Sequence, residues 1–292
     1  MGSEQLLVDA LSALRNDDRS AAAKYAAAAA EEGSRLGAEL ALHLDTATDR
    51  AVYDQPAAFT TFVRGGGNVE LYERLSDALA RRYDQLRPAT LLDVGCGDGL
   101  ALGPALERTA QIPATVDVVE PSAALLDAAK ARLAESGLIF ELRTWHATAQ
   151  DFFARLADGR RWHLAQSTFA LQSLPPDERA GVLRALRETT EELVLAEFDT
   201  PEYPEGSPEH LRSLVTRYER GIAEYGADAR LVAQGFMLPM LLGQAAPTGG
   251  RNNWEHPAEQ WRRQLGEAGF TYLTTEEIAD YWWAPAVLIR AR

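Results

Sequence analysis

A glycine-rich turn is the part of the sequence best suited to bind a ligand. Residues 91–99 read LLDVGCGDG, an apolar run that ends in three glycines separated by single residues. Glycine lacks the side chain that would hold a ligand away from the backbone, and such a turn before a helix leaves amide N–H groups directed outward. The pattern predicts a buried strand that breaks into a ligand-binding turn at the start of a helix.

A candidate ligand-binding acid follows on the next predicted strand. Residues 116–120 read VDVVE, a short apolar segment that ends in the carboxylate of Glu120. An acid at the end of the second strand of an α/β unit is placed to accept the hydrogens of both ribose hydroxyls. The turn and the acid together predict a site for an adenosine-type cofactor.

The spacing of the glycines distinguishes two families that share this geometry. The dinucleotide fingerprint G-x-G-x-x-G would place its third glycine where this chain has Leu100. Residues 93–99, DVGCGDG, instead resemble the first motif of the class I S-adenosylmethionine-dependent methyltransferases of the small-molecule type, and Glu120 resembles their ribose-binding acid. The resemblance extends over about residues 53–292 and implies S-adenosyl-L-methionine as the cofactor.

The resemblance also assigns residues to the cofactor site. In similar methyltransferases the segment before the first strand closes over the cofactor, which would let Arg64 pair with the methionine carboxylate. The family usually has an acid and a following backbone amide beside the adenine, where this chain has Thr148 and Ala149, with Gln150 or Asp151 available to the exocyclic amine of adenine. The predicted cofactor-binding residues are Arg64, Asp93, Gly95, Gly97, Glu120, Pro121, Thr148, Ala149, Gln150 and Ser167.

Methyl transfer requires little chemistry from the protein, because the sulfonium is already a strong electrophile. The protein must place the acceptor in line and remove its proton where the acceptor is a hydroxyl, an acidic carbon or an ammonium. The candidate catalytic residues are His256, Glu197 and His146. Proximity alone is the alternative for an acceptor that is already nucleophilic, and the sequence leaves open whether oxygen, nitrogen or carbon is methylated.

Composition and charge exclude several classes of partner. A net charge of −14 repels polyanions, so nucleic acid is not expected as a partner. No apolar run reaches the ~20 residues that span a bilayer, and the N-terminus lacks the order of a signal peptide, which predicts a cytoplasmic protein without membrane contact. No Cys/His cluster has the spacing of metal ligands, so we expect no metal.

The alternation of apolar runs from Thr90 onward predicts an α/β fold. We expect a doubly wound, Rossmann-like, seven-stranded sheet with a C-terminal antiparallel hairpin, N-terminal helices and a helical cap insertion. The predicted strands are 90–94, 116–119, 138–144, 163–167, 193–198 and 286–290, with an extended segment at 271–281. The predicted domains are an N-terminal helical segment and cofactor-covering lid at 1–75, and a methyltransferase domain at 76–292 with a substrate cap at about 204–257.

The predicted function is methyl transfer to a small, partly apolar molecule, with a role in secondary metabolism. The N-terminal helices permit a homodimer. One alternative is a nicotinamide-dependent oxidoreductase, which Leu100 and the late hairpin oppose. Another is a non-catalytic protein that keeps the cofactor fold for ligand sensing or partner binding, which the missing adenine-side acid leaves open.

Overall fold

The computed structural model describes residues 2–46, 56–156, 159–247 and 253–292. The chain divides into two compact units. We call the first the helical unit; it comprises residues 1–69, 202–251 and 281–284. We call the second the sheet unit; it comprises residues 70–201, 252–280 and 285–292.

The sheet unit contains a seven-stranded sheet in the order β3-β2-β1-β4-β5-β7-β6. The strands are β1 (Thr90–Val94), β2 (Thr115–Glu120), β3 (Glu141–His146), β4 (Trp162–Thr168), β5 (Thr190–Phe198), β6 (Leu273–Ala279) and β7 (Ala286–Ala291). Strands β1 to β5 are parallel, and β7 runs antiparallel to both β5 and β6. The predicted Rossmann-like sheet with a C-terminal antiparallel hairpin is confirmed.

Helices precede or connect the strands of this unit. They are α5 (Asn68–Leu86), α6 (Leu102–Arg108), α7 (Ala123–Glu135), α8 (Ala149–Ala154), α9 (Pro176–Thr189) and α13 (Ala258–Glu267), and a 3₁₀ turn covers Leu171–Ser173. The central strands are buried along almost their whole length, as expected for parallel strands covered on both faces. Because the chain leaves β1 toward β2 on one side and reaches β4 on the other, the carboxyl end of β1 is the switch point where α/β proteins bind ligands.

The predicted strand boundaries hold best for the central strands. β1 has the predicted bounds, and β2 and β4 each extend one residue beyond the predicted bounds at both ends. The predicted start of β3 at Leu138 is wrong, since the strand begins at Glu141. Gly137 has φ +68°, and the Leu138 amide donates to the Ser136 hydroxyl, so this segment is still completing the exit from α7.

The helical unit is built from seven α-helices in the described residues. They are α1 (Ser3–Arg15), α2 (Arg19–Glu31), α3 (Arg35–Asp45), α4 (Pro56–Val63), α10 (Pro208–Ala223), α11 (Ala229–Val232) and α12 (Leu238–Ala245), with a π-helical turn at Ala233–Met237. Asp18 caps α2, accepting from the Ala21 amide at 2.9 Å. None of the described helices has the length and apolar character needed to cross a membrane.

Candidate functional site

A cavity of about 380 Å³ lies in the sheet unit at the carboxyl ends of β1, β2 and β4. The turns after β1, β2, β3 and β4 contribute to its wall, together with Tyr72 of α5. Seven of the ten predicted cofactor-binding residues line it: Gly95, Gly97, Glu120, Pro121, Thr148, Ala149 and Gln150. Turns that are distant in sequence therefore form one site.

Glu120 is held in a fixed position at the wall of the cavity. Its Oε2 accepts a hydrogen bond from the Gly97 amide at 3.0 Å, and its Oε1 accepts from the Ser122 amide at 2.9 Å. The residue is only 6% exposed, so the rotamer is fixed by the two turns that it joins. Each carboxylate oxygen retains a further lone pair, so Glu120 can still accept from the hydroxyls of a ribose.

The glycine-rich turn offers space rather than free donors. The prediction that its amide N–H groups point outward is wrong for four of them, because the protein itself uses these donors. The Gly95 and Cys96 amides donate to the Val119 carbonyl, the Gly97 amide to Glu120, and the Gly99 amide to the Cys96 carbonyl. A pyrophosphate would need such donors, whereas a sulfonium cofactor does not. A Cβ at Gly97 would meet no protein atom within 4 Å, so the wall is open at that point.

Asp93 lies directly before this turn and is 1% exposed. Its Oδ2 accepts from the Gln166 amide nitrogen at 2.9 Å, and Gln166 in turn accepts from the Tyr83 hydroxyl. Burial raises the pKa of Asp93 to about 7, which the hydrogen bond from Gln166 opposes. Asp93 is absent from the described cavity lining. The three residues form a buried polar chain that fixes the end of β1.

Gln150 lines the side of the cavity formed by the turn after β3. Its side-chain nitrogen donates to Glu178 Oε2 at 2.6 Å, which sets the orientation of the amide. Its Oε1 is buried and has no partner among the described residues. Thr148 begins α8 as its N-cap, accepting from the Asp151 amide at 3.1 Å, and so positions this segment.

Two of the other predicted cofactor residues lie elsewhere. Ser167 is fully buried, and its hydroxyl donates to the Val94 carbonyl at 2.8 Å, which ties β4 to β1. Arg64 is exposed, belongs to the helical unit and is not among the described residues that line the cavity. Their cofactor contacts stay predictions.

The three candidate catalytic residues also lie outside the described lining of the cavity. His146 is exposed at the end of β3, with Nε2 3.0 Å from the carbonyl of Pro121, which does line it. His256 forms a β-bridge with Asp199, and its ring packs edge-on against Trp261. Among the described residues, no group of three or more His, Cys, Asp or Glu side chains could hold a metal ion.

Glu197 is the third candidate and is fully buried on β5. Its Oε1 accepts from the Gln172 amide at 3.3 Å, and burial raises its pKa well above the ordinary value, an effect that Arg179 opposes. Arg179 lies over the Trp261 ring and donates to the Trp254 carbonyl at 2.9 Å. The Trp254 amide donates to the Gln172 carbonyl at 2.7 Å. These contacts hold the 3₁₀ turn, two of whose residues line the cavity.

Two aromatic residues of the site were not predicted from the sequence. Phe169 follows β4 with φ +53°, its ring stacked on Phe198 at 4.5 Å and crossed by the Tyr72 ring at 6.3 Å. Tyr72 precedes Leu75 by one turn of α5, and this helical spacing could have placed it on the buried face. The sequence gives no signal for a left-handed phenylalanine, which is uncommon.

Residues 91–192 match a family model described as a methyltransferase domain. The matched segment begins in β1 and ends in β5, so it includes the glycine-rich turn, Glu120, Gln150 and the turn after β4. No curated protein gave a match to the sequence. The family model therefore covers the part of the chain that forms most of the cavity wall.

Several solved structures share the fold at low sequence identity. Magnesium protoporphyrin IX methyltransferase from Synechocystis PCC 6803, with S-adenosylhomocysteine bound, is 15% identical with a TM-score of 0.53, over 82% of this chain and 95% of that one. The mitomycin 7-O-methyltransferase MmcR is 16% identical with a TM-score of 0.52, over 94% and 71%.

A candidate O-methyltransferase from Nostoc punctiforme PCC 73102 is 14% identical with a TM-score of 0.51 over 74% of this chain. The match spans 55% of the length of that protein. At these identities the likeness establishes the fold.

Proposed function

We propose that this chain is a class I S-adenosylmethionine-dependent methyltransferase that transfers a methyl group to a small-molecule acceptor in secondary metabolism. Its residues 91–192 match a methyltransferase domain, and its fold is that of solved methyltransferases. The cofactor supplies the electrophilic methyl group. The observation that carries the proposal is the row of turns after β3, β2, β1 and β4 around one cavity, with Glu120 at its wall. Such a row matches a ligand that joins a base, a ribose and an amino acid in line.

The residues present fit the adenosine part of this cofactor. Glu120 has acceptor capacity left for the ribose hydroxyls. The buried Oε1 of Gln150 has no partner among the described residues, and we assign to it the exocyclic amine of adenine. An unmet buried acceptor costs about 1–3 kcal/mol, so a ligand that supplies the missing donor gains part of that energy. Gln150 would thus serve in place of the family's acid.

The acceptor in our proposal is an uncharged or partly apolar metabolite. The net charge of −14 opposes binding of nucleic acid. Mitomycin, the substrate named for one structural relative, is a small molecule, which is in keeping with a role in secondary metabolism. A cytoplasmic location and a homodimer formed through the N-terminal helices stay predictions from the sequence.

The proposal for proton removal retains His256 and His146 as candidates and gives Glu197 a different part. Burial favours the neutral acid form of Glu197, a form that does not take up a proton. We propose that Glu197 positions the 3₁₀ turn beside the cavity through Gln172. For a strongly nucleophilic acceptor, in-line placement beside the sulfonium is sufficient.

The experiment that tests the cofactor is calorimetric titration of the purified protein with S-adenosylhomocysteine, with NADH and NADPH titrated in parallel. We expect micromolar binding of S-adenosylhomocysteine and no binding of either nicotinamide. Binding of a nicotinamide alone would contradict the proposal, because the alternative oxidoreductase function predicts that result. Binding of none of the three would also contradict it.

Glu120→Ala tests the position of the ribose. The substitution leaves the ribose hydroxyls and the Gly97 amide without an acceptor, so we expect S-adenosylhomocysteine binding to weaken by about 1–3 kcal/mol. Glu141→Ala is the matched control, since Glu141 is an exposed carboxylate on β3 outside the described lining of the cavity. Equal affinity of Glu120→Ala and wild type would show that the ribose lies elsewhere.

A further inference from the structure

The order of the strands gives the orientation of the cofactor in the proposed site. Strand order β3-β2-β1-β4 places the turn with Gln150 at one end of the row and the turn with Phe169 at the other, with Glu120 and the glycine-rich turn between them. With adenine at Gln150 and the ribose at Glu120, the methionine part must extend toward Phe169. That end of the cavity also contains Tyr72, whose ring contacts Phe169.

The amino-acid end of the cofactor carries a carboxylate that needs hydrogen-bond donors. No lysine, arginine or histidine is among the described residues that line the cavity. Four amides of the glycine-rich turn already donate within the protein. The Ser173 hydroxyl, also at the wall, donates to the Ala170 carbonyl at 2.7 Å. Among the side chains at this end of the cavity, hydroxyls with a proton still to donate are the candidate donors.

Tyr72 carries such a hydroxyl. It makes no hydrogen bond to any residue that the structure describes, whereas the ring is held by an edge-on contact with Phe169, at 81° between the ring planes. Burial, and secondarily the Asp98 carboxylate, raises the pKa of Tyr72 to about 12. The phenol therefore keeps its proton at neutral pH and is a donor.

We propose that the Tyr72 hydroxyl donates a hydrogen bond to the carboxylate of the cofactor's methionine part, an inference that rests on the proposed function. Tyr72 takes the role that the sequence gave to Arg64, which belongs to the helical unit. The contact with Phe169 positions the phenol, and the left-handed backbone of Phe169 is part of the same arrangement. The hydroxyl binds the part of the cofactor that is present before and after methyl transfer.

Two ligands that differ in the amino-acid part test this assignment. S-Adenosylhomocysteine has the carboxylate, and 5′-methylthioadenosine has the same adenosine and thioether without the amino acid. Tyr72→Phe removes the hydroxyl and keeps the ring. We expect its affinity for S-adenosylhomocysteine to fall about tenfold or more, as for loss of a hydrogen bond to a charged group. Its affinity for 5′-methylthioadenosine should equal that of wild type in calorimetry.

Tyr272→Phe is the matched control, because it makes the same chemical change at a tyrosine that is 60% exposed in the sheet unit. Thr168→Val and Arg64→Gln, measured with both ligands, cover the other hydroxyl at this end and the arginine. Equal loss for both ligands in Tyr72→Phe, or no loss, would overturn the inference. So would a selective loss found in Thr168→Val or Arg64→Gln and absent in Tyr72→Phe. Failure of wild type to bind S-adenosylhomocysteine would instead contradict the proposed function.

Discussion

Glu197 is a buried carboxyl whose Oε1 accepts from the Gln172 amide, and the Leu171 amide also acts to lower its pKa. Glu197→Gln keeps the Oε1 acceptor and the shape of a neutral acid, so we expect wild-type affinity for S-adenosylhomocysteine. Glu197→Ala removes the acceptor and leaves a cavity, and we expect about 1–3 kcal/mol less stability toward urea, with weaker ligand binding. Once an acceptor is known, unchanged ligand binding together with lost turnover in Glu197→Gln would identify Glu197 as a base.

Alanine substitutions at two glycines of the glycine-rich turn test how closely this turn packs against the turn after β4. Gly95 and Gly97 both have positive φ, +74° and +55°, so alanine at either position costs about 1–2 kcal/mol of backbone strain. A Cβ at Gly95 would also lie 2.4 Å from the Ala170 Cβ, in the turn after β4. We expect Gly95→Ala to lower the urea midpoint more than Gly97→Ala does.

Gly97→Ala serves as the control for strain in that comparison, and it carries an expectation of its own. The new Cβ meets no protein atom within 4 Å at a position that lines the cavity, so it should take space from the ligand. We expect calorimetry to show weaker binding of S-adenosylhomocysteine while the protein stays folded. Equal midpoints for the two variants would mean that the turn after β4 yields to the Gly95 side chain at no cost.

Elements whose pattern is local were predicted well from the sequence. β1 matches its predicted bounds because a buried apolar run ends at a glycine. The start of β3 was predicted too early because Leu138 and Ile139 are apolar, although the chain is still leaving α7 at these residues. The strand propensity of individual residues does not show where pairing with a neighbouring strand begins. In β3 the pairing begins at Glu141, whose amide donates to the Ala114 carbonyl.

In the molecule as a whole, the site brings together segments that are distant in sequence, and no local sequence pattern shows how these segments are placed in space. Motifs with a fixed spacing, such as Gly95, Gly97 and Glu120, could be assigned to the cavity from the sequence. Tyr72 reaches it only through the packing of α5, and Phe169 only through a backbone conformation in which its amide N–H donates a hydrogen bond to the Ala196 carbonyl. The direction of the turn amides likewise depends on Val119, the neighbour that the fold supplies.

Binding of the cofactor product should be visible in the stability of the folded chain. A ligand that binds only the native state raises the free energy of unfolding by about 2.7 kcal/mol when its free concentration is roughly one hundred times its Kd. We therefore expect saturating S-adenosylhomocysteine to raise Tm, and Glu120→Ala to reduce that rise at equal ligand concentration. Hydrogen exchange locates the effect: amides of residues 94–101, 119–121, 148–150 and 168–174, which include the described cavity lining except Tyr72, should gain protection. Protection gained only in the helical unit would mean that the ligand binds outside this cavity.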